Sequence, residues 1–158
     1  MFEMVHYQPK KQFVAPPWMN SIMKNEKPVF NSRDVAKVTT EEELKGIRSA
    51  SRAAAEALRF AVELTKTCTN GHDLDVKLTE EIIEQGGYPS GIGFMGFPKS
   101  VCISPNDVLV HGIPTKAPFN SGDWMNLDVT VFKDGFFGDN STTVTIGEVD
   151  PEISRLVS

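Results

Sequence analysis

Two aspartates, Asp128 and Asp139, lie in the segment NLDVTVFKDGFFGDNSTTVTI, which has the alternation and central turn of a β-hairpin. Acids are usually kept out of strand interiors, because an unpaired buried carboxylate costs several kcal/mol. Two acids held side by side also repel each other, and a bound cation relieves that repulsion. Hard divalent ions prefer carboxylate oxygen, and bridging carboxylates can hold two ions about 3.5–4 Å apart. The pair therefore predicts a metal site, although a solvated hairpin with two unrelated acids is the more common meaning of this spacing.

The turn of the hairpin decides whether the two acids meet. Asp134-Gly135 is the strongest two-residue hairpin signal in the chain. A turn there places Asp139 opposite Thr130, and Asp128 lies two residues from Thr130 on the same face of its strand. The Cα atoms of the two aspartates would then be about 7–8 Å apart, on a diagonal across the strands. We therefore predict that the two carboxylates converge.

His111, in the segment VLVHGIP, is the next candidate for chemistry. It follows an apolar run and precedes Gly-Ile-Pro, so its side chain is predicted to project from the end of a strand. An isolated histidine in such a place is more often structural or solvated. Beside a metal site, an imidazole could instead donate a hydrogen bond to a substrate carbonyl or to a developing oxyanion.

Composition limits the classes of protein to which these residues can belong. The chain has 158 residues with 40% hydrophobic content, enough for one globular domain or a large part of one. A net charge of −5 predicts no basic surface for nucleic acid, and no apolar run approaches the roughly 20 residues of a membrane span. Cys68 and Cys102 are the two cysteines, which suits a reducing compartment. The N-terminus lacks the apolar segment of a secretory signal, so we expect a protein that is not secreted.

Residues 1–38 are rich in proline and polar residues and weakly periodic, which predicts an extended N-terminal arm. Phe13, Trp18 and Met19 would pack on a neighbouring surface, with a loosely attached tail as the alternative. An organellar targeting segment is a further alternative, but the arm holds acidic residues and its first arginine is Arg33.

Two helices are predicted to precede the strands. Thr39 and Thr40 are each followed three residues later by glutamate, a doubled capping-box signal, and an apolar period of three to four residues continues to about residue 66. A second helix is predicted from near Asp73 to Gln85, where Gly86-Gly87 ends it.

Short strands are predicted at residues 101–103 and 108–110, separated by a turn at 104–107. The hairpin follows these strands. Asp150 and Pro151 then form a helix start, with aspartate as the N-cap and proline at the first helical position.

Three segments together resemble a known family: GYPSGIGFMGFPKSVCISPNDVLVHGIP, GDWMNLDVTVFKDGFFGD and GEVD. They are similar to type I methionine aminopeptidases of the M24 metallopeptidase family, over about residues 40–158. The resemblance implies an α+β, pita-bread fold, of which residues 39–158 would be the N-terminal half: an antiparallel sheet with two covering helices, ending within the first helix of the second half. The arm, and the absence of a Cys/His-rich zinc region, are closer to the mitochondrial or organellar branch than to the cytosolic one.

The resemblance also assigns roles to the candidate residues. It makes Asp128 a ligand to one divalent metal ion and Asp139 a bridging ligand to two, with cobalt, manganese, zinc or iron as the possible metals. It places His111 near the scissile carbonyl of the substrate. The remaining ligands of the family, one histidine and two glutamates, have no counterpart in matching motifs here. We therefore expect the isolated chain to be inactive.

The same resemblance places Phe94, Phe97 and Cys102 in the pocket for the methionine side chain, where a thioether packs well against aromatic edges. Relatives often have tyrosine at positions 94 and 97, and ordinary core aromatics are the alternative here. A second departure follows Asp139, where the chain reads NSTT and relatives commonly have glutamate at or near Thr142.

The function implied is removal of the initiator methionine from nascent proteins by a water that two metal ions activate. The partners implied are the N-terminal methionine of nascent polypeptides and, as a possibility, the ribosome, with no direct nucleic-acid or membrane contact. A monomer in the cytoplasm or mitochondrion is expected for the full-length enzyme. Two alternatives stay open: a non-catalytic pita-bread remnant that binds a protein or the ribosome, and a related enzyme for Xaa-Pro or creatine-like substrates. The HGIP and FPKSVC segments favour the methionine enzyme over the latter.

Overall fold

A computed structural model describes residues 40–157. The predicted arm, residues 1–38, lies outside this range. Three helices, one 3₁₀ turn and four strands follow one another along the described chain. Their bounds are α1, Glu41–Leu64; α2, Gly71–Glu84; β1, Tyr88–Pro89; the turn, Phe94–Gly96; β2, Val101–Pro105; β3, Trp124–Lys133; β4, Phe136–Thr145; and α3, Pro151–Val157.

The long helices begin at side-chain caps that the sequence signals. Thr40 and Glu43 form the predicted capping box: the Thr40 side chain accepts a hydrogen bond from the Glu43 backbone N–H, and Glu43 bonds back to the Thr40 N–H. Asn70 caps α2 by accepting from the Asp73 N–H at 2.9 Å, so α2 starts two residues earlier than predicted. Asp150 caps α3 at Glu152 as predicted. No helix in the described part of the chain is long and apolar enough to cross a membrane.

The four strands form one antiparallel sheet organised around β3. One edge of β3 pairs with β1 and with β2, and the other edge pairs with β4 over its whole length. The hairpin register is the predicted one, with Thr130 opposite Asp139 and Lys133 opposite Phe136. Asp134 and Gly135 have φ of 53° and 90°, the left-handed pair that the two-residue turn requires.

Both long helices cover one face of the sheet. Alternate residues of β3, from Met125 to Val131, are buried against an alanine-rich face of α1 and the apolar face of α2. The hairpin lies unusually close to α1, because the Phe136 ring packs over Gly46 and the backbone of Gly138 lies against that of Ala50. Any side chain at Gly138 would collide with the helix backbone.

The strand predicted at residues 108–110 is wrong. These residues form an irregular loop, and Leu109 is 89% exposed. The local apolar pattern favoured a strand, but the chain turns at Asn106 and His111, whose φ values are 52° and 54°. The Val108 N–H is used within the turn, where it donates to the Pro105 carbonyl at 3.0 Å, and residues 108–110 pair with no described strand.

Candidate metal centre on the polar face of the sheet

The face of the sheet that the long helices do not cover carries the candidate metal residues; we call it the polar face. Strand alternation puts Asn126, Asp128 and Thr130 of β3 on this face, because their neighbours point into the core. Residues directly opposite in antiparallel strands share a face. Cys102 and Ser141 both lie opposite Asp128 and therefore belong to it.

Asp128 and Asp139 converge on the polar face, as the hairpin register predicted. The Thr130 hydroxyl donates to Asp139 Oδ1 at 2.9 Å and orients that carboxylate. Burial raises the pKa of Asp128, and the charge of Asp139 and a hydrogen bond between the two carboxyls raise it further. The charge of nearby His111 lowers the pKa of Asp128 and partly offsets this rise. The fold therefore holds two like charges within reach of each other, as a divalent cation requires.

Cys102 lies beside this acidic pair. Burial raises the pKa of its thiol to about 11, and the charges of Asp128 and Asp139 add to the rise. The thiol is consequently neutral at pH 7. A neutral thiol is a small, soft, largely apolar group, not a thiolate ligand or nucleophile.

His111 is exposed and reaches the neighbourhood of Asp128 from the loop after β2. Its position depends on the next residue. The Gly112 N–H donates to Ser104 Oγ at 3.1 Å, and its carbonyl accepts from the Ile103 N–H at 2.9 Å. A side chain at Gly112 would collide with the Ile103 carbonyl, so glycine is needed to hold this loop against β2.

Phe94 and Phe97 flank the 3₁₀ turn in the loop between β1 and β2. The loop is closed by two backbone hydrogen bonds, from Gly93 N–H to the Phe97 carbonyl at 2.8 Å and from Phe97 N–H to the Phe94 carbonyl at 2.9 Å. Phe94 is 39% exposed and Phe97 is half-buried. Their place in a methionine pocket stays a prediction.

A buried polar network at the start of β2 was missed from the sequence. Asp75 on α2 accepts from the Ser100 N–H at 2.8 Å and from its hydroxyl at 2.6 Å. Lys99 pairs with Asp75 at 3.2 Å and contacts His72 Nδ1 at 2.8 Å, while the Thr79 hydroxyl lies 2.7 Å from Ser100 Oγ. The one available signal was an aspartate inside an apolar helical pattern. The network fixes the strand that carries Cys102.

The aspartate pair fits part of a metal site. Among residues 40–157, no three His, Cys, Asp or Glu side chains are arranged to hold one ion. Divalent ions take four or more ligands in proteins. Asp128 and Asp139 therefore supply two ligands, and any others must come from beyond the described residues or from water.

Comparison with known proteins identifies the family. The profile of metallopeptidase family M24 matches residues 45–158. The chain belongs to this family. Membership of a metallopeptidase family confirms two predictions at the level of the family: a hydrolase and the use of divalent metal.

Curated M24 relatives include organellar enzymes. The chain is 45% identical over 116 residues to "Methionine aminopeptidase 1B, chloroplastic" of Arabidopsis thaliana, covering 73% of this chain and 31% of the relative. It is 40% identical over 124 residues to "Methionine aminopeptidase 1D, mitochondrial" of Homo sapiens, covering 78% and 37%. The chain thus spans about a third of the length of these relatives.

Solved structures confirm the predicted α+β, pita-bread fold. The M24 chain aligns with methionine aminopeptidase from Rickettsia prowazekii at a TM-score of 0.72 and 35% identity, covering 78% of this chain and 50% of that one. An X-Pro aminopeptidase from Thermotoga maritima aligns at 0.60 with 19% identity, which shows the shared fold alone.

Proposed function

We propose that this chain provides the N-terminal half of a methionine aminopeptidase, with residues 39–158 belonging to the catalytic domain. The observation that carries the proposal is the convergence of Asp128 and Asp139 on the polar face, in a chain whose M24 relatives are methionine aminopeptidases. The substrate would be the N-terminal methionine of newly made polypeptides, in the cytoplasm or in the mitochondrion.

In this proposal Asp128 and Asp139 would be ligands to a pair of divalent ions, with Asp139 shared between them. When bound, the metals would supply a water of lowered pKa and a Lewis acid for the scissile carbonyl. Thr130 keeps Asp139 oriented through its 2.9 Å hydrogen bond. His111 donates a hydrogen bond to the substrate carbonyl oxygen, where negative charge develops during hydrolysis.

Specificity for methionine would come from Phe94, Phe97 and Cys102. Aromatic edges and a neutral thiol suit a flexible, polarisable thioether better than they suit a charged or polar side chain. The Cys102 thiol suits this role because burial, the largest cause of its raised pKa, favours the uncharged form.

Metal binding by the 158-residue chain tests the ligand assignment. Titration with Mn²⁺, followed by electron paramagnetic resonance, should show that Asp128→Asn and Asp139→Asn each weaken binding at least tenfold. Ser141→Ala, on the same face and opposite Asp128, should leave binding unchanged. Mn²⁺ binding that is equal in all four proteins would contradict the assignment.

Stability without metal gives a second readout. The raised pKa of Asp128 means that the fold disfavours its carboxylate form, so stability falls as pH rises through the titration of this group. After EDTA treatment, Asp128→Asn should therefore melt at a higher temperature than the parent at pH 7, and the difference should vanish below pH 4.

Release of methionine from a Met-Ala-Ser peptide tests the activity. We expect turnover, with added Mn²⁺ or Co²⁺, from a longer product of the same gene and none from the 158-residue chain alone. A folded, metal-loaded longer product that releases no methionine would overturn the proposal.

A second candidate is a non-catalytic remnant of the fold that binds a protein or the ribosome. It is favoured by the incomplete set of ligands among residues 40–157. The intact mass of the endogenous protein separates the two: 17.4 kDa together with no Mn²⁺ binding supports the remnant, and a much larger mass supports the enzyme.

A further inference from the structure

A groove of about 400 Å³ lies between the exposed side of α1 and the hairpin. Lys45, Arg48 and Arg52 line it from the helix, and Lys133 lines it from the hairpin. Its other lining residues are Ser49, Ala53 and Glu56. We call it the basic groove.

This concentration of positive charge contrasts with the rest of the chain. Residues 40–158 contain 10 Lys and Arg against 18 Asp and Glu, yet four of those ten cations share one groove with a single lining acid, Glu56. Asp134 is the nearest further acid that the structure connects to it, because it accepts from the lining Ser49 hydroxyl at 3.4 Å. The groove therefore has a net positive charge within an acidic domain.

The cations on the helix are not used for internal ion pairs. Within residues 40–157, Lys45, Arg48 and Arg52 have no acid within salt-bridge distance, and Glu56 is instead 4.0 Å from Arg59, outside the groove. Lys133 is held in place by donating to the Gln85 carbonyl at 2.9 Å. Cations that gather without partners repel one another, so the arrangement favours binding of an external anion.

The cations form a row that matches a chain of anions. Lys45, Arg48 and Arg52 lie on one face of α1 and span eight residues, about 10 Å of helix. A nucleic-acid strand carries a negative charge on the phosphate of every nucleotide, so it offers an unbroken row of anions to such a face. An acidic peptide of the same charge is the competing ligand that the experiment must exclude. The planar fork of arginine also suits bidentate contact with phosphate.

We propose that the basic groove binds a nucleic-acid strand through successive backbone phosphates, without reading its sequence. Arg48 and Arg52 contact neighbouring phosphates, and Lys45 and Lys133 add charge at the ends and across the groove. Such contacts position a strand and release counterions, and they specify no base.

Fluorescence anisotropy with a labelled 20-nucleotide oligouridylate tests this on the whole 158-residue chain. Arg48→Gln/Arg52→Gln should lower affinity at least tenfold at 50 mM NaCl. It should also reduce the slope of log K against log[NaCl] by about 1.4, since each phosphate neutralised on a single strand contributes about 0.7. The six Lys and Arg of residues 1–39 are present in every variant, so they do not account for the difference.

Two matched variants complete the design. Lys66→Gln/Lys116→Gln removes the same charge from outside the groove and should change affinity less than threefold, with the salt slope retained. Arg48→Lys/Arg52→Lys keeps the charge and should keep the slope while lowering affinity a few-fold. Circular dichroism melting confirms that each variant is folded.

Three results would overturn the proposal. These are no binding by the parent chain at 50 mM NaCl, equal losses in the groove and control double variants, or displacement of oligouridylate by polyglutamate of the same charge as effectively as by unlabelled oligouridylate. The last result would mean that the groove attracts anions without any preference for phosphate.

Discussion

The two faces of the central sheet differ in what their residues do. On β3 the odd-numbered positions from Met125 to Val131 are almost fully buried against the helices, and they hold the elements together. The even-numbered positions present the polar groups that converge on Asp128. The period of two in a strand therefore separates stability from chemistry within one ten-residue segment.

This separation explains how the fold tolerates a pair of repelling carboxylates. The apolar face provides the burial that stabilises the domain, about 25 cal/mol for each Å² removed from water. The polar face can then carry groups, such as Asp128 with its raised pKa, that do not favour the folded state. Substitutions on the two faces should have different consequences.

The largest effect is expected at the centre of the covered face. Leu127 is fully buried, and Leu127→Ala should lower the free energy of unfolding by about 3 kcal/mol, from lost burial and the cavity left behind. Ser141→Ala, on the exposed polar face, should change it by less than about 0.5 kcal/mol. Urea unfolding of both variants measures the contrast, and similar losses would show that the faces are not distinct.

The polar face itself has a buried end, which alkaline pH should disrupt. Tyr88 lies opposite Phe132, whose ring is 5.0 Å from that of Phe137, and burial raises the pKa of Tyr88 from 10.0 to about 12. The folded state keeps the phenol protonated, so its contribution is intact below pH 10 and is lost as pH rises toward 12. The loss should be about 2 kcal/mol.

Comparison with Tyr88→Phe isolates this titration. The variant lacks the hydroxyl that donates to the Ile92 carbonyl, so it should be less stable at pH 7. Its free energy of unfolding should nevertheless fall less steeply between pH 10 and 12 than that of the parent. Parallel curves over this interval would exclude Tyr88 as the group responsible.

The next largest loss of stability is expected where the hairpin packs closely on α1. Gly138→Ala should cost about 2 kcal/mol, because its Cβ would meet the rigid backbone of Ala50. Gly71→Ala is the control: its Cβ would lie 3.3 Å from the flexible end of Ile103, so a smaller loss is expected. Thermal melts of the two variants compare them, and an undiminished melting temperature for Gly138→Ala would contradict the close approach.

Local sequence signals predicted the hairpin and the helix starts, because the forces that set them act within a few residues. Asp134-Gly135 specifies both the turn and the register, and the register in turn brings Asp128 and Asp139 together. The prediction of a strand at 108–110 was wrong because the conformation there depends on residues that are distant in the sequence. The apolar residues of this segment satisfy a strand pattern, but the geometry of the loop depends on Ile103 and Gly112, which only the tertiary structure brings together.

The distribution of charge over the surface was also not predictable from the sequence alone. A net charge of −5 describes the whole chain, and it led us to expect no surface for nucleic acid. Lys45, Arg48 and Arg52 are visible in the sequence as one face of a helix, whereas Lys133 joins them only through the docking of the hairpin. The net charge of a chain does not reveal a local cluster of cations that two distant segments form together. In the same way, helical periodicity does not reveal the network of Asp75 and Ser100.

The smallest loss of stability is expected from substitution in the hairpin turn, which sets the register between β3 and β4. Asp134 has φ of 53°, a conformation that costs a residue with a Cβ roughly 1 kcal/mol unless its side chain is asparagine or aspartate. Asp134→Ala should therefore lower the free energy of unfolding by about 1 kcal/mol, whereas Asp134→Asn should leave it within about 0.5 kcal/mol of the parent. Urea unfolding measures both changes. If Asp134→Ala instead left stability unchanged but weakened Mn²⁺ binding, the turn would act mainly on the alignment of Asp128 with Asp139, and the strand pairing alone would account for the stability of the hairpin.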